Sequence, residues 1–144
     1  MPSPIVVDTG VLLAVLNAND QYHEQCTIWL LSVTSRTLVV STLVVAETCY
    51  WLHKDLGNDA EVAFLEQLAR EQQFELYAPD RPGLARMAAL VARYPRLGGS
   101  DASVIVAAEQ LGTIDVATVD RRDFPPVKPA HAEYLNLLPA GFVP

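Results

Sequence analysis

Short apolar runs rich in β-branched residues alternate along this chain with longer segments of helical periodicity. The short runs predict four buried strands, at residues 5–7, 38–40, 74–77 and 114–119, and residues 132–138 are the candidate for a fifth strand at the edge. Continuously apolar strands that alternate with helices are typical of a parallel sheet covered on both faces. The pattern therefore predicts an α/β fold: a single domain over residues 1–144, with a parallel sheet of four to five strands sandwiched between helices.

The helices between these strands are predicted from capping residues and breakers. Asp20 is the expected cap of the second helix, and Asn58 with Glu61 resembles a capping box that opens the fourth. Asp80 suits the start of the fifth, and Ser100 the start of the sixth. The six predicted helices lie at residues 11–16, 20–31, from 41 or 42 to about 53, from 58 onward, 80–94 and 100–112.

Composition supports a compact globular chain. Of the 144 residues, 51% are hydrophobic and only 19% are charged, so disorder is not expected. No run approaches the ~18 apolar residues that a membrane span needs, and the amino terminus lacks the basic segment of a signal peptide. Cys26 and Cys49 are too few for a disulfide framework. A cytoplasmic protein is expected.

The net charge of −7 argues against a surface that holds nucleic acid by bulk electrostatics. Clustered carboxylates, however, recruit divalent cations, and these reverse the local field. Basic side chains also fall into two groups, although charges on helix faces are usually just solvated. These groups are Arg81, Arg86, Arg93 and Arg96, and then Arg121, Arg122 and Lys128.

Four acidic residues are placed by this pattern at one edge of the sheet. Asp8 follows the first strand, Glu47 lies about two turns into the helix after the second, Asp101 begins the helix before the fourth, and Asp120 ends the fourth. Ligands of open α/β sheets bind beyond the carboxyl ends of the strands. Taken singly, Asp8 and Asp101 are equally explained as helix-terminal residues and Asp120 as a turn residue.

Glu47 differs from the other three because its helical neighbours are Leu43, Val44, Tyr50 and Trp51. A carboxylate on such an apolar face is costly to bury unless a cation compensates its charge. A salt bridge would do so, but a metal site is favoured. Oxygen-only ligand sets select hard ions, and the expected cofactor is Mg²⁺ or Mn²⁺.

The segments that carry these acids resemble, in order, the four acidic motifs of PIN domains. The segments are residues 6–9, 41–47, 101–108 and 117–124. The similarity is closest to the VapC-type ribonuclease toxins of bacterial toxin–antitoxin pairs. It implies a PIN-like fold and Mg²⁺- or Mn²⁺-dependent cleavage of RNA. It also implies a cognate antitoxin and a homodimer.

Carried over by position, the resemblance makes Asp8, Glu47, Asp101 and Asp120 the catalytic and metal-binding quartet. Thr9 and Thr118 become polar groups that orient the ligands. Asp123 either joins the site or only forms the turn after Asp120, and the turn is favoured. The acidic crevice would also suit a basic segment of an antitoxin.

The mechanistic hypothesis is hydrolysis of an RNA phosphodiester by a metal-activated water, leaving 5′-phosphate and 3′-hydroxyl ends. Glu47 would either bind metal or orient the attacking water. Two alternatives to this endoribonuclease remain open. A phosphatase with Asp8 as nucleophile is disfavoured because Gly10 stands where a second aspartate is usual. The other is a non-catalytic PIN-like module that binds RNA or protein.

Overall fold

Strands and helices alternate along most of the chain in the computed structural model, which describes residues 2–144. The elements, in chain order, are β1 Ile5–Val7, α1 Thr9–Leu16, α2 His23–Ser32, β2 Leu38–Ser41, α3 Thr42–Leu56, α4 Asn58–Arg70, β3 Phe74–Tyr77, α5 Arg81–Arg93, α6 Gly99–Leu111, β4 Asp115–Ala117 and β5 Asn136–Leu138. The predicted α/β class is confirmed.

The five strands form one parallel sheet in the order β3-β2-β1-β4-β5. The candidate edge strand at 132–138 is confirmed, although β5 covers only its last three residues. From β1 the chain builds the sheet outward to β2 and β3 on one side, and β4 and β5 complete it on the other. Such a reversal opens a crevice at the carboxyl ends of the two central strands, here β1 and β4.

Helices cover both faces of the sheet centre. Every residue of β1 and β2 is buried, and because side chains of a strand alternate between faces, both faces must be covered. Helix α6 packs against β1, β2 and β4, and its residues 102–108 are all buried. This packing fixes the position of the amino-terminal turn of α6, where Asp101 lies.

Two predicted helix caps are wrong because the expected capping side chains bond elsewhere. The carboxylate of Asp20 accepts a hydrogen bond from the Tyr22 amide at 2.8 Å, and this local turn delays α2 until His23. Helix α4 does begin at residue 58, but no side chain caps it. Glu61 pairs instead with His53 of α3, at 3.2 Å between Oε1 and Nδ1.

The starts of α5 and α6 have different outcomes. Asp80 caps α5 as predicted, since its Oδ1 accepts from the Gly83 amide at 2.8 Å. Ser100 does not cap α6, which already begins at Gly99. The capping contact is made by Asp101, whose Oδ2 accepts from the Gly98 amide at 3.0 Å. A candidate site residue therefore also stabilises the start of its own helix.

Both cysteines are free thiols, Cys26 buried in α2 and Cys49 half-buried in α3. Burial raises the pKa of the Cys26 thiol to about 11, so this side chain behaves as a small apolar group. Over residues 2–144, no helix is both long and apolar enough to cross a membrane.

Gly10 lies in the first turn of α1, against the residue that follows Thr118. A Cβ at this position would lie 2.5 Å from Cγ2 of Val119, and valine is stiff at χ1. We therefore expect Gly10→Ala to lower the free energy of unfolding by about 1–3 kcal/mol, measured by urea denaturation. Gly99→Ala, in open space at the start of α6, is the matched control and should be neutral or stabilising. Equal stability of the two variants would contradict the close approach.

Candidate active site

Asp8 lies at the carboxyl end of β1, against the neighbouring strand β4. Its amide donates to the Ala117 carbonyl at 2.9 Å. Its carboxylate accepts from the Thr9 amide at Oδ1 and from the Thr118 hydroxyl at Oδ2, both at 2.8 Å. Only 5% of the residue is exposed. Asp8 is therefore a buried carboxylate in a fixed orientation.

Asp120 is tied to Asp8 through Thr118. The hydroxyl of Thr118 donates to Asp8 and accepts from the Asp120 amide at 3.0 Å. The carboxylate of Asp120 then accepts from the amides of Arg122 and Asp123, at 3.0 and 2.8 Å. The turn after β4 is thus built around Asp120, and it holds that residue beside the end of β1.

A buried pair of serines joins the first turns of α3 and α6. Oγ of Ser41, the cap of α3, lies 2.7 Å from Oγ of Ser103, which in turn donates to the Ser100 carbonyl at 2.6 Å. Since Glu47 lies in α3 and Asp101 in the first turn of α6, this contact holds together the two helices that carry these acids.

The carboxylates are close enough to change one another's ionisation. Burial, followed by repulsion from Asp101 and Glu47, raises the pKa of Asp8 to about 7, against the opposing hydrogen bonds from Thr118 and Thr9. Burial also raises the pKa of Asp101, and the charges of Glu47, Asp120 and Asp123 add to that rise, while the Gly98 hydrogen bond opposes it. The structure therefore brings the four predicted acids together, with Asp123 at their border.

The three supporting residues differ in what they contact. Thr118 orients Asp8 with its hydroxyl, as the motif resemblance implied. Thr9 contacts Asp8 only through its backbone amide, and its own hydroxyl is buried without a hydrogen-bond partner among the described residues. Asp123 donates its amide to Asp120 within the turn, whereas its carboxylate pairs with Arg96. The turn interpretation of Asp123 describes its backbone but misses its side chain.

The expectation that Glu47 carries the burial cost is wrong. Glu47 is half-buried, because its apolar neighbours Tyr50 and Trp51 are themselves 60% and 37% exposed. These rings pack edge to face on each other at 5.2 Å, with Lys54 over them, rather than in the core. The acid that carries the cost is Asp8.

The donors suit a hydrated hard cation more than a closed protein cage. Within residues 2–144, no three His, Cys, Asp or Glu side chains converge tightly enough to enclose an ion. Like charges hold one another apart, and Mg²⁺ typically binds one or two carboxylates while keeping several waters. The buried hydroxyls of Thr9 and Ser100 have no partner in this part of the chain, and they adjoin Asp8 and Asp101.

Sequence reasoning missed two features of this site. The Ser41–Ser103 contact joins residues 62 positions apart, and no sequence pattern links the two serines. Arg96 was noticed as one of a run of arginines, yet no spacing rule linked it to an acid. The loop before α6 brings it to Asp123, at 3.1 Å between Nε and Oδ1.

Asp8→Asn is expected to stabilise the metal-free protein at pH 7.5. An unfolded aspartate has a pKa near 4, and the folded value is about 7. Between these values the folded state binds the extra proton, so stability is full below pH 4 and falls as the pH rises through 7. Asparagine carries no charge. In EDTA at pH 7.5 the melting temperature of the Asp8→Asn variant should therefore exceed that of the wild type by about 5 °C.

Thermal melts at pH 4.5 and 7.5 test this expectation, since the gap should narrow at the lower pH. Glu66→Gln, on the exposed surface of α4, is the control and should shift neither melt. If Asp8→Asn and the wild type have the same melting temperature at pH 7.5, burial of the charged Asp8 does not destabilise the fold.

Comparison with known proteins agrees with this geometry. The model of the PIN domain family matches residues 5–128. Ribonuclease VapC26 of Mycobacterium tuberculosis is 32% identical over 140 residues, which cover 94% of this chain and all of that protein.

Solved structures share the fold at lower identity. The crystal structure of Mycobacterium tuberculosis VapC20, described as a sarcin-ricin loop cleaving toxin, superimposes with a TM-score of 0.71 at 20% identity, over 78% of this chain and 86% of that one. A toxin–antitoxin complex from Klebsiella pneumoniae gives 0.62 at 19% identity, over 92% and 99%. The PIN model matches most of the chain, and the acidic residues lie together at the ends of β1 and β4. The chain therefore belongs to the PIN-domain family, and its sequence places it with the VapC proteins.

Proposed function

We propose that the protein is a Mg²⁺- or Mn²⁺-dependent endoribonuclease and the toxin of a type II toxin–antitoxin system. The observation that carries the proposal is the buried carboxylate of Asp8 among other acids. Of the ion pairs within residues 2–144, none includes Asp8, Glu47, Asp101 or Asp120. Uncompensated carboxylates that share a crevice are stabilised by a bound divalent cation.

Asp8, Glu47, Asp101 and Asp120 would hold the ion. When bound, it supplies acidity to a water molecule and neutralises charge that develops on the phosphate. Thr118 keeps the Asp8 carboxylate in one orientation. Asp8 must be ionised to bind a cation, so its raised pKa implies that it releases a proton on binding near neutral pH.

The other three acids differ in how firmly hydrogen bonds hold their side chains. The Gly98 amide fixes Asp101 and the amides of the following turn fix Asp120. Glu47 accepts no hydrogen bond from the described residues and is half-exposed. It is therefore the side chain that can move to a water or a substrate proton, so we assign it to orienting the attacking water as well as to ion binding.

RNA is proposed as the substrate because of the relatives. VapC26 is a ribonuclease by name and VapC20 cleaves the sarcin-ricin loop. A phosphodiester is also the group that a carboxylate-held divalent ion activates. The nuclease would act in the cytoplasm, and the free cysteines suit a reducing compartment.

A cognate antitoxin and a homodimer complete the proposal. The Klebsiella pneumoniae relative was solved as a toxin–antitoxin complex. In this chain, the acidic crevice offers several carboxylates to a basic antitoxin segment. Among residues 2–144, the basic side chain already paired with an acid at the border of the crevice is Arg96, which contacts Asp123.

Cleavage of cellular RNA by the purified protein tests the proposal. With Mg²⁺ or Mn²⁺ we expect discrete cuts that leave 5′-phosphate and 3′-hydroxyl ends, and with EDTA none. Asp8→Ala and Asp101→Ala should each lower the cleavage rate by at least about a hundredfold, because each removes a carboxylate that would hold the ion. Mapping the RNA ends by sequencing gives both readouts.

Glu66→Ala, which removes an exposed acid from α4, is the control and should cleave like the wild type. Equal cleavage in EDTA and Mg²⁺, or full activity of the two aspartate variants, would refute the proposal. RNA binding without any cleavage would favour the non-catalytic module.

A further inference from the structure

A basic depression borders the acidic crevice on the side of α5. Its volume is about 200 Å³, and its lining includes Arg93, Tyr94, Arg96, Asp123 and Pro126. It lies between the end of α5 and the turn after β4, which are the segments that flank Asp101 and Asp120. A strand of RNA bound at the acidic crevice would extend onto a neighbouring surface of the protein. The depression is such a surface, and its arginines carry positive charge.

One side of the depression is formed by Tyr94, which is held by contacts on both its ring and its hydroxyl. The Arg93 guanidinium stacks on the Tyr94 ring at 5.1 Å. The Tyr94 hydroxyl accepts from the Lys128 amide at 3.1 Å, so it ties the end of α5 to the segment after β4. Arg96 lines the same depression with 57% of its side chain exposed.

Arg96 is joined to the crevice through Asp123. Its Nε lies 3.1 Å from Oδ1 of Asp123, and the amide of Asp123 donates to Asp120. The Arg96 end of this pair is the exposed one, with 57% of the side chain accessible against 24% for Asp123, so another anion can approach the guanidinium from solvent. A guanidinium presents a fork of donors that matches a phosphate group.

Two of the other arginines near the site are already engaged by protein groups. Arg86 binds both oxygens of Glu109. Arg121 donates to the carbonyls of Thr118 and Pro139. A chain with a net charge of −7 has few cations to offer RNA. Arg96 and Arg122 are both exposed beside the acids, and Arg96 is the one of the two that lines the depression.

We propose that Arg96 binds a backbone phosphate of the RNA next to the scissile one, exchanging Asp123 for the substrate. This inference rests on the proposed ribonuclease function and adds the group that offsets repulsion between RNA and the acidic crevice. Arg96 is thus a substrate-binding residue, outside the set of acids that hold the ion.

The direct test measures binding of a fluorescein-labelled single-stranded 12-nucleotide RNA in EDTA at low salt. Arg96→Ala should weaken binding about tenfold, the size expected for a lost charge-assisted contact. The slope of log affinity against log salt should fall by about 0.7, since one phosphate contact is lost. Arg81→Ala, at the other end of α5 and about 18 Å along the helix from Arg93, is the control and should change neither value.

Asp123→Asn separates this role from a structural one. If Arg96 binds phosphate, freeing it from Asp123 should tighten RNA binding, and the gain should disappear in the Arg96→Ala background. If Arg96 only positions Asp123, the two single variants should weaken binding equally, and that result would overturn the proposal.

Cleavage kinetics in Mg²⁺ give an independent readout. Arg96→Ala should raise KM about tenfold and leave kcat within about twofold, because uniform substrate binding is lost. Wild-type protein that binds RNA in EDTA but does not cut it in Mg²⁺ would sink the ribonuclease function and leave the binding result for Arg96 standing. Unchanged RNA affinity of Arg96→Ala, or no RNA binding by the wild type, would overturn the inference itself.

Discussion

The carboxylate of Asp8 is buried at the junction of β1 and β4, next to other negative charges, and the site depends on that placement. Burial and repulsion raise its pKa to about 7, although two hydrogen bonds favour its charged form. The same hydroxyl that orients Asp8 also fixes the amide of Asp120. A charge held in so unfavourable a position destabilises the fold near neutral pH, and a bound cation would turn this cost into binding energy.

Sheet topology explains why these residues meet. The order β3-β2-β1-β4-β5 puts the first strand in the centre, and the fourth strand pairs with it from the far end of the chain. Asp8 and Asp120 are therefore neighbours, although more than a hundred residues separate them. Helix α6, buried over most of its length against β1, β2 and β4, presents Asp101 to the same edge. The core thus holds the acids together against their mutual repulsion.

Strand positions, the α/β class and the sharing of one edge by the four acids follow from periodicity and from the geometry of parallel sheets. Two predicted helix caps do not form, because Asp20 and Glu61 have local partners that compete with capping. The predicted burial of Glu47 is also wrong, since an apolar helix face is costly for an acid only if the tertiary structure covers it. The contact between Arg96 and Asp123 cannot be predicted from the sequence either, because a loop of irregular structure brings the two residues together.

The central claim is that the carboxylates around Asp8 form a divalent-cation site, and calorimetric titration with Mn²⁺ tests it most directly. At pH 7 the wild type is expected to bind Mn²⁺ and to release protons, seen as a dependence of the measured heat on the buffer, because Asp8 must ionise. Asp8→Asn should lose both signals, and Glu66→Gln should keep them. Mn²⁺ binding that is absent from the wild type, or unchanged in the Asp8 variant, would contradict this account.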